Sequence, residues 1–245
     1  MFNFFNKTKE PIKLWFSTDI HAHVLAGVDD GSPDLDKSVQ LVGELGELGI
    51  TKILASPHIA RDTFENSQEK LDKALVDLRE AVNSAGLGNI ALDRHSENRI
   101  DDLFSENIEA GNLKVLPDNY ILIENSFVQE PWNLENIIYD LNMRGYRPIL
   151  AHPERYVYYH VKPSRYADIH KNCQFQVNVL SMAGYYGKHV KKMAERLVEA
   201  DMVDFMGTDT HGLRHTACFR EYLAGKDALK HARALEGKIQ NRKFD

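Results

Sequence analysis

The strongest constraint on the fold of this chain is an alternation. Short apolar runs at residues 14–20, 52–56, 90–92, 120–123, 148–151, 174–179 and 203–207 are separated by segments with helical periodicity. Leu35, Val39, Val42 and Leu45 recur at three- and four-residue steps, as the buried stripe of one helix does, with Ser32-Pro33 as its expected start and Gly49 at its end. Leu71, Leu75, Leu78 and Val82 repeat the pattern between Ser67 and Gly86, and Leu134, Ile137, Ile138 and Leu141 do so between Asn133 and Gly145. Strands that alternate with helices pair in parallel through helical crossovers. Seven such units predict an α/β fold, a seven-stranded β/α barrel that is closed or slightly broken, with an open doubly wound sheet as the alternative. No repeat, low-complexity tract or linker composition interrupts the pattern, so residues 1–245 are expected to form one domain. Residues 1–12, with Phe2, Phe4 and Phe5, are expected to be a flexible N-terminal segment.

Functional side chains of such a barrel collect where its strands end. His21, His23, His58, Glu97, Glu124, His152, Asp209 and His211 all fall at or just after expected strand ends, and Asp30 lies a short way beyond the first. In Asp19-Ile20-His21-Ala22-His23 the two histidines alternate onto one face of an extended chain, as two imidazoles that grip one ion must. Imidazole and carboxylate ligands without thiolates suit Mn, Fe, Zn or Mg. One catalytic zinc needs only three protein ligands and a water, so nine candidates point to two or three ions joined by a bridging carboxylate, for which Glu97 is the choice. Ions about 4 Å apart can lower the pKa of a shared water and clamp the oxygens of a phosphoryl group, which predicts hydrolysis without a protein nucleophile. Arg155 and Arg214, close to the His152 and His211 motifs, are the candidates to hold phosphate oxygens. Asp19 is expected to support the ligands rather than join them.

Composition narrows the partners. A formal net charge of −6 offers no basic face to a nucleic-acid backbone. No apolar run reaches the ~18 residues of a membrane span and the first residues lack the layout of a signal peptide, so a cytoplasmic protein is expected. The two cysteines, Cys173 and Cys218, lack the surroundings of a phosphate-binding loop and are expected to be bystander thiols.

Six stretches together resemble the polymerase-and-histidinol-phosphatase (PHP) superfamily. They are Asp19-Ile20-His21-Ala22-His23-Val24, Val28-Asp29-Asp30-Gly31-Ser32, Ser56-Pro57-His58-Ile59, Ile123-Glu124-Asn125-Ser126-Phe127, Ala151-His152-Pro153-Glu154-Arg155-Tyr156 and Gly207-Thr208-Asp209-Thr210-His211. Within that superfamily the chain is similar, over residues 14–220, to the bacterial manganese-dependent protein tyrosine phosphatases encoded with capsule and exopolysaccharide genes. The resemblance implies a distorted, TIM-barrel-like barrel holding three divalent ions, manganese first among the candidates. His21, His23, Glu97 and Asp209 would hold one ion, His58, His152 and the shared Glu97 a second, and Asp30, Glu124 and His211 a third. It also implies a phosphotyrosine-containing protein as substrate, the cytoplasmic tail of a membrane-bound tyrosine kinase that controls polysaccharide export. A small-molecule phosphatase of the histidinol-phosphatase type is the alternative. An amidohydrolase fits less well, because its middle strands would offer a bridging lysine where this chain has Glu124 and His152. A binding protein on a degenerate barrel would be free to lose the ligands that are present here. The third strand departs from the family pattern in reading Arg94-His95-Ser96-Glu97-Asn98-Arg99, which leaves His95 as an additional or substitute ligand beside Glu97.

Overall fold

Pairing between strands sets the architecture. The structure, a computed structural model, describes residues 11–245. The segment expected over residues 1–12 lies outside the described residues except for its last two. Among the described residues the strands are β1 (Thr18–Asp19), β2 (Lys52–Ala55), β3 (His58–Ile59), β4 (Ala91–Arg94), β5 (Glu97–Arg99), β6 (Tyr120–Glu124), β7 (Arg147–Ala151), β8 (Gln174–Asn178) and β9 (Phe205–Gly207). They form two wholly parallel ladders, β1-β2-β4 and β3-β5-β6-β7-β8-β9.

The sequence predicts seven strands and the described residues form nine, in ladders of three and six, because two positions break in the middle. Pro57 has no N–H to give a ladder, so the second run stops at Ala55 and resumes at His58. The third run breaks beside it between Arg94 and Glu97. His95 N donates to Ala55 O at 2.9 Å and Glu97 N to Pro57 O at 3.1 Å, so the two interruptions lie level with each other. Beyond them β3 and β5 continue the pairing in the second ladder. The first run is regular only over Thr18–Asp19. Its continuation bridges the edges: Ala22 pairs in parallel with Thr210, His23 N donates to Thr210 O at 3.0 Å, and Ser56 N donates to Ala22 O at 3.0 Å. The sheet thus curls into a half-barrel.

β6, β7 and β8 are buried along almost their whole length, as parallel strands covered by helices outside and side chains inside must be. Inside, Ile20, Leu54, Leu122, Ile149 and Phe205 pack with Tyr120 and Phe244. Tyr120 meets Phe205 and Phe244 edge-on, with centroids 5.6 and 5.5 Å apart. Phe244 comes from the 3-10 turn Asn241–Phe244. Asn241 ties this turn to the wall, donating to Thr18 O at 2.9 Å and Met206 O at 2.8 Å and accepting from Met206 N at 2.9 Å. Outside, the helix Leu35–Glu47 buries Leu41, Val42 and Leu45. Its cap is Asp34, which accepts from Lys37 N at 2.8 Å, so the helix starts past the expected Ser32-Pro33. Ser67 caps the helix Gln68–Ser84 as the sequence suggests, accepting from Lys70 N at 3.2 Å. No helix among the described residues is long and apolar enough to cross a membrane.

Candidate metal centre

Each of the nine candidate ligands reaches the same end of the half-barrel from a strand terminus or the turn beyond it. His21 and His23 follow β1 with their rings 5.4 Å apart. His58 and Glu97 open β3 and β5 and are direct register partners. Glu124 ends β6, while His152 and Asp209 follow β7 and β9. His152 and Asp209 hold left-handed backbone, φ 34° and 51°. A residue with a Cβ is strained there by about 1–3 kcal/mol, a conformation kept only where the surroundings impose it. Asp30 is carried by the Asp29-Asp30-Gly31 turn, which lies so close to His23 that a Cβ on Gly31 would collide with the His23 carbonyl and Cβ.

Glu97 is the hub of the cluster. Its Oε2 lies 3.1 Å from His21 Nε2, 3.3 Å from His23 Nε2 and 3.2 Å from His58 Nδ1, and its Oε1 lies 3.1 Å from His152 Nε2. Asp209 Oδ1 faces the same His21 and His23 nitrogens at 3.4 and 3.5 Å. Glu124 is 3.8 Å from His152 Nε2 and 4.0 Å from His58 Nδ1. Asp30 Oδ1 faces His58 Nε2 at 3.5 Å and His211 Nε2 at 3.4 Å. The trio Asp30, Glu124 and His211 is therefore not what the geometry gathers. Glu124 sits with Glu97, His152 and His58, and His58 turns its other nitrogen to Asp30 and His211.

Buried polar groups hold these ligands. His23 Nδ1 donates to Asp29 Oδ2 at 2.8 Å. Asp19 supports as expected: one oxygen accepts from His21 N at 3.2 Å and Thr208 N at 3.1 Å, the other from Thr208 Oγ1 at 2.5 Å, tying β1 to the turn after β9. His95 is fully buried, donates from Nε2 to Ile20 O at 2.8 Å and belongs to none of the ligand groups. Glu97 is the one candidate ligand that this stretch supplies.

The charges fit a set of cations. Glu97, Glu124 and Asp209 are buried together; Arg99 and Arg155 pair with Glu124 and Asp209, and Glu97 faces imidazoles alone. Burial, followed by the Glu97 charge, pushes the Glu124 carboxyl up to about 8. His23 Nε2 is buried, aimed at two carboxylates, and makes no hydrogen bond. An orphaned imidazole nitrogen among crowded carboxylates is what a divalent ion would satisfy, and the oxygen and nitrogen donors suit a first-row or magnesium ion.

The cluster floors a cleft of about 840 Å³. Arg155 reaches into it, donating from Nη1 to Asp209 Oδ2 at 2.8 Å, its guanidinium 4.7 Å from the Phe127 ring centroid and 4.2 Å from that of Tyr186. Arg99 lines the same cleft and donates to Glu124 Oε2 at 2.8 Å. Arg214 is exposed on the helix Leu213–Leu223 and does not line the cleft, so the structure does not bring it to the cluster. His215, which the sequence gives no reason to choose, does line it and accepts from His211 N at 3.1 Å. Arg99 and Phe127 stand two and three residues from ligands and could have been found by that spacing. Tyr186 comes from a stretch without a ligand. Neither cysteine lines the cleft.

Residues 17–220 match the family described as capsular polysaccharide synthesis, CpsB/CapC. The chain belongs to this family. It is 32% identical over 198 residues to the tyrosine-protein phosphatase YwqE of Bacillus subtilis (strain 168), covering 80% of this chain and 78% of that protein. It is 31% identical over 207 residues to the tyrosine-protein phosphatase CpsB of Streptococcus pneumoniae, covering 80% and 83%. Its backbone matches a chain from the crystal structures of these two proteins, described as unique metal-dependent tyrosine phosphatases. The TM-score is 0.77 at 29% identity, over 91% of this chain and 95% of that one. Membership is consistent with the PHP superfamily read from the sequence.

Proposed function

We propose that this protein is a metal-dependent tyrosine phosphatase that hydrolyses phosphotyrosine on a protein, in a cleft built on a distorted seven-stranded β/α barrel. The observation that carries the reading is the gathering of nine candidate imidazole and carboxylate ligands, four of whose imidazoles face Glu97, under an open cleft with a guanidinium in its wall, in a chain of the CpsB/CapC family. The seven strand positions of the barrel are β1, β2 with β3, β4 with β5, and β6 to β9. Residues 1–245 are read as one domain. Manganese is the first choice of ion, in three places. The distances favour His21, His23, Glu97 and Asp209 for one, Glu97, Glu124 and His152 for the second, and Asp30, His58 and His211 for the third.

Bound divalent ions supply Lewis acidity, which polarises phosphoryl oxygens and makes water a nucleophile near neutral pH. The chain's own residues do the rest. Arg155 is half-buried and packed against two rings, so the fork that does not serve Asp209 is fixed in place to bind non-bridging phosphate oxygens. Phe127 stacks on the His152 ring, centroids 5.6 Å apart, and Phe64 on the His58 ring at 5.5 Å. Both line the cleft and offer apolar walls to a phenol leaving group. Cys173 is buried and its thiol is pushed up by burial, the reverse of an activated nucleophile.

The family's tie to capsular polysaccharide synthesis favours the cytoplasmic tyrosine-rich tail of a membrane-bound kinase as substrate and the cytoplasm as the place of action. Manganese-loaded protein should release phosphate from a phosphotyrosyl peptide of that kind. Efficient cleavage of histidinol phosphate with no action on the peptide would replace this reading by the small-molecule one.

A further inference from the structure

Gln176 and Asn178 lie two residues apart on β8 and therefore face the same way, into the half-barrel beneath the cluster. Both are fully buried. His21 Nδ1 is 2.7 Å from Gln176 Oε1, Gln176 Nε2 is 2.8 Å from Asn178 Oδ1, and Asn178 Nδ2 is 2.6 Å from Asp209 Oδ2. His21 and Asp209 are both ligands of the same proposed ion, so a closed loop runs from one through two amides to the other. We infer that Gln176 and Asn178 are positioning residues for the metal centre, a relay through which the Asp209 carboxylate dictates the tautomer and orientation of His21. The inference rests on the metal-dependent reading above.

The direction of the relay follows from what each group can do. An ionised carboxylate only accepts, so Asn178 must turn its NH2 to Asp209 and its oxygen to Gln176. Gln176 must then turn its NH2 to Asn178 and its oxygen to His21. An oxygen facing Nδ1 leaves that nitrogen as the donor, so the His21 proton sits on Nδ1. In the neutral ring Nε2 then carries the lone pair, aimed toward Glu97 and Asp209 oxygens 3.1 and 3.4 Å away, where an ion would lie. The opposite tautomer would bury a proton where the ion must bind. Asp209 gains from the same arrangement: Asn178 and Arg155 both donate to Oδ2, leaving Oδ1 to the cluster.

Two neighbours show that this geometry is built in. Asn178 is anchored by its backbone N–H on Glu154 Oε1 at 2.9 Å, and that oxygen also takes the Ser181 hydroxyl at 2.6 Å. Gly207, beside Asn178 in the β8–β9 register, leaves the space that the relay needs. A Cβ there would lie 2.6 Å from His21 Cβ and 2.7 Å from Gln176 Nε2. Glycine is thus required by close approach, without any need for positive φ.

The test uses the full chain, stripped of metal and titrated with zinc, a diamagnetic probe, by calorimetry and by nitrogen-15 NMR of the histidine rings. In the wild type, His21 should carry its proton on Nδ1 and bind zinc through Nε2. Asn178→Asp has nearly the same shape but sets an acceptor against Asp209, and Gly207→Ala removes no polar group but displaces the Gln176 amide. Each should weaken binding of one ion by about 10–100-fold and lose the fixed Nδ1–H signal of His21. Should Gly207→Ala fail to fold, Asn178→Asp carries the test, with the thermal midpoint of the metal-free protein as its check on folding. Variants that bind zinc with wild-type affinity and keep the His21 signal would overturn the relay alone. A wild type that takes up no zinc would overturn the metal-dependent reading, and the relay with it.

Discussion

Arg155→Ala offers the most direct probe of how the cleft handles phosphate. The guanidinium is held on three sides, by Asp209 at 2.8 Å and by the Phe127 and Tyr186 rings at 4.7 and 4.2 Å. Such a preorganised donor needs little reorganisation when charge develops on a phosphoryl oxygen. Removal of one donor of this kind costs about 2.7–4 kcal/mol, or about 10²–10³ in kcat. Arg155→Lys keeps the charge but not the planar fork, so one ammonium has to choose between Asp209 and substrate; its loss should fall near the lower end of that range. The assay is steady-state hydrolysis of a phosphotyrosyl peptide by manganese-loaded protein, with metal content measured on the same samples. Metal content should stay at the wild-type level, and the loss should appear in kcat as well as kcat/KM. Arg214→Ala, on the exposed flank of its helix, should lose less than Arg155→Ala. An Arg155→Ala loss smaller than about tenfold would refute the phosphate role as argued from electrostatic preorganisation. Departure of an ion together with the arginine would instead place its effect on Asp209.

Other consequences can be checked with simpler means. Glu97→Ala should lose bound metal and turnover together, because the carboxylate faces four imidazoles at 3.1–3.3 Å; full activity at unchanged metal content would remove Glu97 from the centre. A chelator should abolish phosphatase activity, restored by added manganese, whereas a thiol-alkylating reagent should leave it intact because no cysteine lines the cleft. Phe244→Ala should cost about 3–5 kcal/mol, as large-to-small core changes do. For a chain of this size that lowers Tm by roughly 6–20 °C, measured by calorimetry. A shift of only a degree or two would mean that Phe244 does not plug the interior it fills.

The legible part of this protein was what periodicity and strand-end chemistry report. Stripes such as Leu71, Leu75, Leu78 and Val82 become buried helix faces, and every apolar run contributes at least one strand. The nine ligand candidates meet in one cluster because parallel strands deliver their ends to one rim, whatever their separation along the chain. Which carboxylate serves which histidine was not legible. Glu124 and His58 differ from the expected grouping because an imidazole has two usable nitrogens, and the sequence does not say which way each points. Gln176 and Asn178 gave no signal either. A buried amide pair looks like ordinary strand content until its partners are known. Arg214 is near His211 in sequence, but His211 belongs to the turn after β9 while Arg214 lies in the first turn of the helix Leu213–Leu223, on its exposed side.

The departures from a regular barrel and the chemistry of the site have one origin. A strand that ran unbroken from Lys52 to Ile59 would hold His58 within a continuous ladder. The break at Pro57 instead lets β3 start afresh with His58 opposite Glu97, and the break beside it at His95-Ser96 does the same for β5. At the far side, His152 and Asp209 reach the cluster only through left-handed backbone. Four ligands thus depend on local irregularity, each a feature that a fold optimised for stability alone would discard. The regular parts compensate at the other end of the strands, where Asn241 stitches β1 to β9 and Phe244 fills the interior. The division of labour is spatial. One end of the half-barrel carries packing without chemistry, and the other carries strain, buried charge and the orphaned His23 Nε2 that a bound ion would satisfy.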